Sequence, residues 1–102
     1  MDWASMTLAE QLGNVGSEFE RAVRWKQKNQ PQLAMSAAAR TLEQVDRTLT
    51  DTRYAGHRRR ELARLRDEVC HELFSDDIDA ESVRQLQRYF LAFAIAARNN
   101  RV

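Results

Sequence analysis

Two residues of this sequence have side chains suited to cleaving a phosphodiester, and they lie close together in the chain. Arg66 and His71 are separated by four residues, in the stretch Arg-Asp-Glu-Val-Cys-His. A guanidinium stabilises charge that develops on a phosphate, and an imidazole acts as general acid or base near neutral pH. On a helix, both side chains can flank one groove. With a second copy across a two-fold axis, the pair is sufficient for metal-independent RNA cleavage through the 2′-hydroxyl.

At these residues the chain resembles the HEPN group of small helical bundles. Nuclease members of that group carry an Arg, four to six residues and a His, often with a polar residue after the Arg, which is Asp67 here. The resemblance implies a dimeric bundle of four or five helices that acts as a ribonuclease, as the toxin of a toxin–antitoxin pair or as a nucleotidyltransferase partner. In the alternative interpretation, Arg66 and His71 are surface residues, with His71 paired to Asp67 or Glu68.

The remaining reactive side chains predict no further catalytic or metal site. Cys70 and His71 are adjacent, so on a helix they point about 100° apart and cannot act as nucleophile and base. Cys70 is expected to be a small core residue. A metal ion needs three or four protein ligands, and Cys70, His57 and His71 are too few and wrongly spaced. We therefore expect neither a metal nor a cofactor.

Several arginines are predicted to gather at one end of the molecule, where a third helix begins and a fourth ends. One interpretation is a site for an anion or a nucleic acid. The other is a solvated charged surface, with partners such as Glu61, Asp46 or Asp51. The residues are Arg53, Arg58, Arg59, Arg60, Arg98 and Arg101.

Composition limits the compartment and the partners. The chain has 102 residues, the size of one domain (1–102), and a net charge of +1, which gives no global signal for nucleic acid. The single cysteine excludes an internal disulfide, and the opening Met-Asp-Trp shows no secretory signal pattern. The longest apolar run, Tyr89 to Ala97, is too short to cross a membrane. We expect a cytoplasmic protein with no membrane partner.

The elements that position these residues are predicted to be helices. Pro and Gly are scarce, and Thr7 with Glu10 has the pattern of a capping box. Gly13 and Gly16 suggest close approach of a neighbouring helix. The expected fold is all-α, an antiparallel up-down bundle of about four helices over about 7–29, 31–50, 57–74 and 80–98. Apolar residues at helical spacing are expected to face its core: Leu8, Leu12, Val15, Phe19, Val23; Met35, Ala38, Leu42, Val45, Leu49; Leu62, Leu65, Val69, Leu73; Val83, Leu86, Phe90, Phe93 and Ala97.

A second apolar stripe on the fourth helix points to an additional contact. Leu91 and Ile95 lie on a different side from Phe90 and Phe93, so the last half of this helix is apolar nearly all round. Either the helix is central in the bundle, or its extra face pairs with another chain. We favour a homodimer.

Three functions from different classes remain open. The first is a non-catalytic interaction protein that dimerises through the fourth helix and binds another protein. The second is the HEPN-type ribonuclease that uses Arg66 and His71. The third is a nucleic-acid binder that uses the arginine-rich end. We rank them in that order.

Overall fold

The protein is an antiparallel up-down bundle of four α-helices, which confirms the predicted all-α fold class. A computed structural model describes residues 2–76 and 79–99. The helices are α1 (Leu8–Gln27), α2 (Pro31–Leu49), α3 (Gly56–Phe74) and α4 (Ala80–Asn99). A single 3-10 turn, Trp3–Ser5, precedes α1. The described residues contain no β-strand.

The first two helices begin where local chemistry favours a helix start. Thr7 Oγ1 accepts the backbone N–H of Glu10 at 3.1 Å, and Glu10 Oε1 accepts the backbone N–H of Thr7 at 2.9 Å. This reciprocal pair satisfies two backbone donors that α1 cannot satisfy internally, which confirms the predicted capping box. Pro31 occupies the first turn of α2, where its missing N–H removes no helical hydrogen bond.

The central element of the bundle is α1. It packs along both α2 and α4, while α2 also packs along α3, and α3 approaches α4 only over a short stretch. The buried core combines Leu12, Val15 and Phe19 of α1 with apolar residues of the three other helices. Because α1 occupies the middle, α4 is an edge helix, and the alternative of a central fourth helix does not apply.

Close packing of α4 on α1 depends on glycine, as the sequence suggested. A Cβ placed on Gly16 would lie 2.5 Å from Phe90 Cβ, and one placed on Gly13 would lie 3.3 Å from Ala94 Cα. Phe90 is buried there, with its ring centroid 5.6 Å from that of Phe19. The missing side chain at Gly16 therefore lets the two backbones come together.

The buried face of α2 differs from the prediction at Met35, which was expected in the core and is 56% exposed. Thr41 and Thr48 are fully buried instead. Their hydroxyls donate to the carbonyls of Ala37 and Gln44, at 2.8 and 3.1 Å, so burying them leaves no unsatisfied donor. The predicted buried face of α2 was therefore rotated toward Met35, because threonine was treated as a polar residue.

A lysine connects α1 and α3 at the end of the bundle where both helices terminate. Lys26 Nζ, near the end of α1, donates to the carbonyls of Glu72, Leu73 and Ser75 at 3.2, 3.3 and 2.6 Å. These carbonyls belong to the last turn of α3 and the residue that follows it, where a cation is favourable. This contact fixes the ends of α1 and α3 side by side.

Candidate functional site

Arg66 is positioned on the side of α3 that faces α2. Its Nε lies 2.6 Å from Asp46 Oδ1, and its Nη1 lies 3.7 Å from Cys70 Sγ. The hydrogen bond to Asp46 raises the pKa of Arg66 above its ordinary value. The guanidinium is therefore engaged in an ion pair between two neighbouring helices, a contact that needs no ligand to explain it.

His71 lies on a different side of the same helix. Its side chain is exposed and lines the space between α3 and α4. Five helix positions advance by about 500°, so Arg66 and His71 leave the axis of α3 roughly 140° apart. The structure does not bring the two residues together within one chain, and the phosphodiester-cleaving site stays a prediction.

The arginine-rich end is organised by a buried glutamine. Gln11 of α1 is fully buried, and its Nε2 donates to the carbonyl of Trp3 at 2.9 Å and to Asp51 Oδ2 at 3.2 Å. The hydroxyl of Tyr54 donates to Gln11 Oε1 at 3.1 Å. Satisfied buried networks of this kind fix one conformation. This one holds the loop between α2 and α3, and with it Arg53, against the start of α1.

Arg53 is largely engaged in internal contacts. Its Nη2 lies 2.8 Å from Asp51 Oδ2 and donates to the carbonyl of Met6 at 2.7 Å. Hydrogen bonds from the side chain and then the backbone N–H of Arg53 hold the pKa of Asp51 well below its ordinary value. Arg53 is therefore a structural partner of Asp51 and adds little free charge to the surface.

The other arginines at this end differ in their partners. Arg58 Nη1 pairs with Glu61 Oε1 at 3.0 Å, and Arg60 Nη2 lies 3.0 Å from His57 Nδ1. Arg59 and Arg98 are exposed, and no carboxylate in the described part of the chain pairs with either. Arg101, the last member of the predicted patch, lies outside the described residues. The cationic surface that remains is smaller than the sequence suggested.

The outer face of α4 is apolar in its second half. Leu91 and Ile95 are 53% and 42% exposed, and they lie on the side of α4 turned away from α3. Arg84 and Arg88 precede them on the same side, and both donate to Glu81, at 2.8 and 3.1 Å. We call the surface formed by Leu91, Ile95 and the exposed Ala92 between them the α4 outer face.

A groove that the sequence did not predict lies between α3 and α4, where the two helices separate. Its cavity volume is about 600 Å³, and we call it the α3–α4 groove. One wall comes from α3 and the other from α4, with Leu65 and Leu86 between them. The sequence contains a signal for the groove, because one face of α3 carries residues at steps of 4, 3 and 4: Glu61, Leu65, Glu68 and Glu72. The lining residues are Glu61, Arg64, Leu65, Asp67, Glu68, His71, Glu72, Ser82, Gln85, Leu86 and Tyr89.

Tyr89 and Glu61 close one end of the α3–α4 groove. The Tyr89 hydroxyl donates to Glu61 Oε1 at 2.7 Å. Burial, and secondarily this hydrogen bond to a carboxylate, raises the pKa of Tyr89 well above its ordinary value. The phenol therefore stays protonated as a donor at any physiological pH, and it holds Glu61 against the wall of the groove.

Comparisons with known proteins place no constraint on these surfaces: family models, curated proteins and solved structures yield no match to the chain. Within residues 2–76 and 79–99, no three His, Cys, Asp or Glu side chains are arranged to hold a metal ion. No helix in the same ranges is both long and apolar enough to span a bilayer.

Proposed function

We propose that this protein is a non-catalytic interaction module that pairs with a second copy of itself through the α4 outer face. The observation that carries the proposal is the exposure of Leu91 and Ile95 on an edge helix. Neighbouring exposed leucine and isoleucine side chains leave apolar surface in water, which pairing would remove.

The surroundings of this surface suit a contact between two identical helices. The exposed Ala92 is small, so it allows a second helix to approach closely. Arg84 and Arg88, each bonded to Glu81, border the apolar residues on one side as a polar rim. A two-fold pair would bring Leu91 and Ile95 of each copy together.

The environment of Arg66 supports the non-catalytic part of the proposal. A transition-state-stabilising arginine needs donors available to the phosphate, and the Nε of Arg66 is directed at Asp46. A ribonuclease would show itself by cleaving labelled structured RNA in EDTA, with the activity lost in His71→Ala. Such a result would replace this proposal with the HEPN-type alternative.

The test of self-association is a comparison of molecular mass. Analytical ultracentrifugation of the wild-type chain is expected to give a dimer of twice 11.9 kDa. Leu91→Lys with Ile95→Lys is expected to sediment as the monomer with unchanged helicity, because charged side chains would be buried unpaired in the interface. Leu33→Lys on α2 is the matched control, since Leu33 is 45% exposed and lies outside the α4 outer face. A monomeric wild type, or equal dissociation by the control, would exclude the proposed interface.

A second candidate is an anion or nucleic-acid surface at the arginine-rich end, and one observation favours it. Arg59 and Arg98 have no carboxylate partner in the described residues and remain available to a phosphate. Binding of RNA or DNA there should fall steeply with salt, and Arg59→Ala should reduce the salt slope. The control is Arg47→Ala, because Arg47 is paired with Glu43 on α2. Equal effects of both substitutions would show only non-specific attraction.

A further inference from the structure

We propose that the α3–α4 groove is a binding site for a linear organic polycation, a flexible di- or triamine whose ammonium groups are joined by methylene chains. Carboxylates along α3 would take the ammonium groups, and the apolar floor would take the methylenes. The site lies on the other side of α4 from Leu91 and Ile95, so it does not depend on self-association.

The shape of the groove suits an elongated small molecule. Its volume of about 600 Å³ falls within the range of small-molecule sites. Leu65 and Leu86 are buried at its floor, and the half-buried Tyr89 stands at one end. Methylene groups laid on this floor would be removed from water, which favours binding.

The charge of the groove suits a cation. Glu61, Glu68 and Glu72 share the face of α3 that borders it, and Asp67 adds a fourth carboxylate at the rim. The opposing charge among the lining residues is Arg64, which is exposed, and His71 lies on the same side of α3 two helical turns further along. Because Glu61 is paired with Arg58, three carboxylates remain against one guanidinium, and the groove is anionic.

An unsatisfied buried carboxylate independently indicates a missing partner. Glu72 is 5% exposed, and its Oε2 is buried with no hydrogen-bond partner. The nearby Lys26 does not supply one, because its ammonium donates to backbone carbonyls at the end of α3. A buried charge without a donor is destabilising, so such groups are rare unless a ligand completes them. Since Glu72 lines the groove, an ammonium group bound there could donate a hydrogen bond to Glu72 Oε2.

The spacing of the carboxylates favours an extended organic cation over a metal ion. No three potential ligands in the described ranges converge on one point. At 1.5 Å per residue, Glu61 and Glu68 are about 10 Å apart along α3, and Glu68 and Glu72 about 6 Å apart. A divalent ion reaches only one of these positions, whereas ammonium groups on an alkyl chain reach two or three. A linear triamine therefore matches the wall of α3.

The experiment is calorimetric titration of the full chain with spermidine at constant ionic strength. Wild type is expected to bind one spermidine per chain, and magnesium chloride at equal charge is expected not to displace it. Glu68→Gln is expected to weaken binding about tenfold or more, because a charge-assisted hydrogen bond is lost. Glu43→Gln, which removes an equally charged exposed carboxylate on α2, is the matched control and is expected to leave affinity unchanged.

Glu72→Gln adds a readout that general electrostatic attraction would not give. The variant is expected to bind spermidine at least about tenfold more weakly and yet to melt at a higher temperature than wild type without ligand, because an unpaired buried charge has been removed. Displacement of spermidine by magnesium, an equal loss in Glu43→Gln, or full affinity in Glu68→Gln would each overturn the proposal. The Glu68 variant keeps the test decisive even if Glu72→Gln fails to fold.

Discussion

Replacing Gly16 by alanine tests the packing of α4 on α1 with a single methyl group. The added Cβ would lie 2.5 Å from Phe90 Cβ and 3.0 Å from its Cγ. Carbon atoms that are not bonded prefer about 3.5–4.0 Å, so the contact is short by about 1 Å. Phe90 cannot turn aside, because it is buried against Phe19. The helices must separate to make room.

Two opposing terms set the size of the effect. Overpacking of this kind costs typically about 1–3 kcal/mol, and the upper end applies because the clash is at Cβ, close to the backbone of α4. Replacing glycine within a helix returns about 1 kcal/mol. We expect Gly16→Ala to lower the free energy of unfolding by about 2 kcal/mol, with a fall in Tm of roughly 10 °C.

The matched control is Gly13→Ala, one turn earlier on the same helix. Its Cβ would lie 3.3 Å from Ala94 Cα, a contact that a shift of a few tenths of an ångström relieves. The gain in helix propensity then offsets the strain, and we expect stability within about 0.5 kcal/mol of wild type. Urea denaturation followed by far-UV circular dichroism gives both values. Equal stability of Gly16→Ala and Gly13→Ala would refute the close approach of α1 and α4 at Gly16.

Three further substitutions test single contacts by urea denaturation. Thr7→Ala removes the capping box and should lower the free energy of unfolding by about 1 kcal/mol. The control, Ser36→Ala on the exposed side of α2, should change it by less than about 0.5 kcal/mol. Equal effects of the two substitutions would contradict the role of the cap. The pKa of Asp51 is lowered in the folded state. Its carboxylate therefore stabilises the fold fully at pH values above its unfolded-state pKa of about 3.9, and this stabilisation is lost as the pH falls through the lower folded-state pKa. The stability difference between wild type and Asp51→Asn should therefore be largest near neutral pH and shrink below about pH 4; a constant difference would argue against the ion pair with Arg53. Arg66→Ala should cost at most about 1 kcal/mol, because its ion pair with Asp46 is partly exposed, and a larger loss would indicate an additional role.

Much of the fold was predictable because its signals are local. The capping box at Thr7 depends on residues three positions apart. Pro31 marks a helix start because its ring fixes the backbone φ near the helical value. The apolar spacing of α3 correctly placed Leu62 and Val69 in the core. Met35 was misplaced because burial of the neighbouring threonines depends on hydroxyl bonds to the preceding turn, which an apolar count ignores.

The candidate surfaces were less predictable, because they depend on which helices are neighbours. The exposure of Leu91 and Ile95 follows from the edge position of α4, whereas apolar spacing alone had also left a central position open. The α3–α4 groove exists because two helices that are consecutive in sequence separate in space. The stripe of glutamates on α3 was visible in the sequence, but without a facing helix it resembled any solvated charged side.

By itself, the sequence determined that this chain is helical, roughly where each helix begins and ends, and that glycines would let two helices approach closely. These properties are set by residues within a few positions of one another, where helix geometry is fixed. Only the tertiary structure decided that α1 is central, that Arg66 faces Asp46 while His71 faces the groove, and that Glu72 is buried without a donor. These properties depend on contacts between distant segments, and helical periodicity gives the side that a residue occupies but not the helix that it meets.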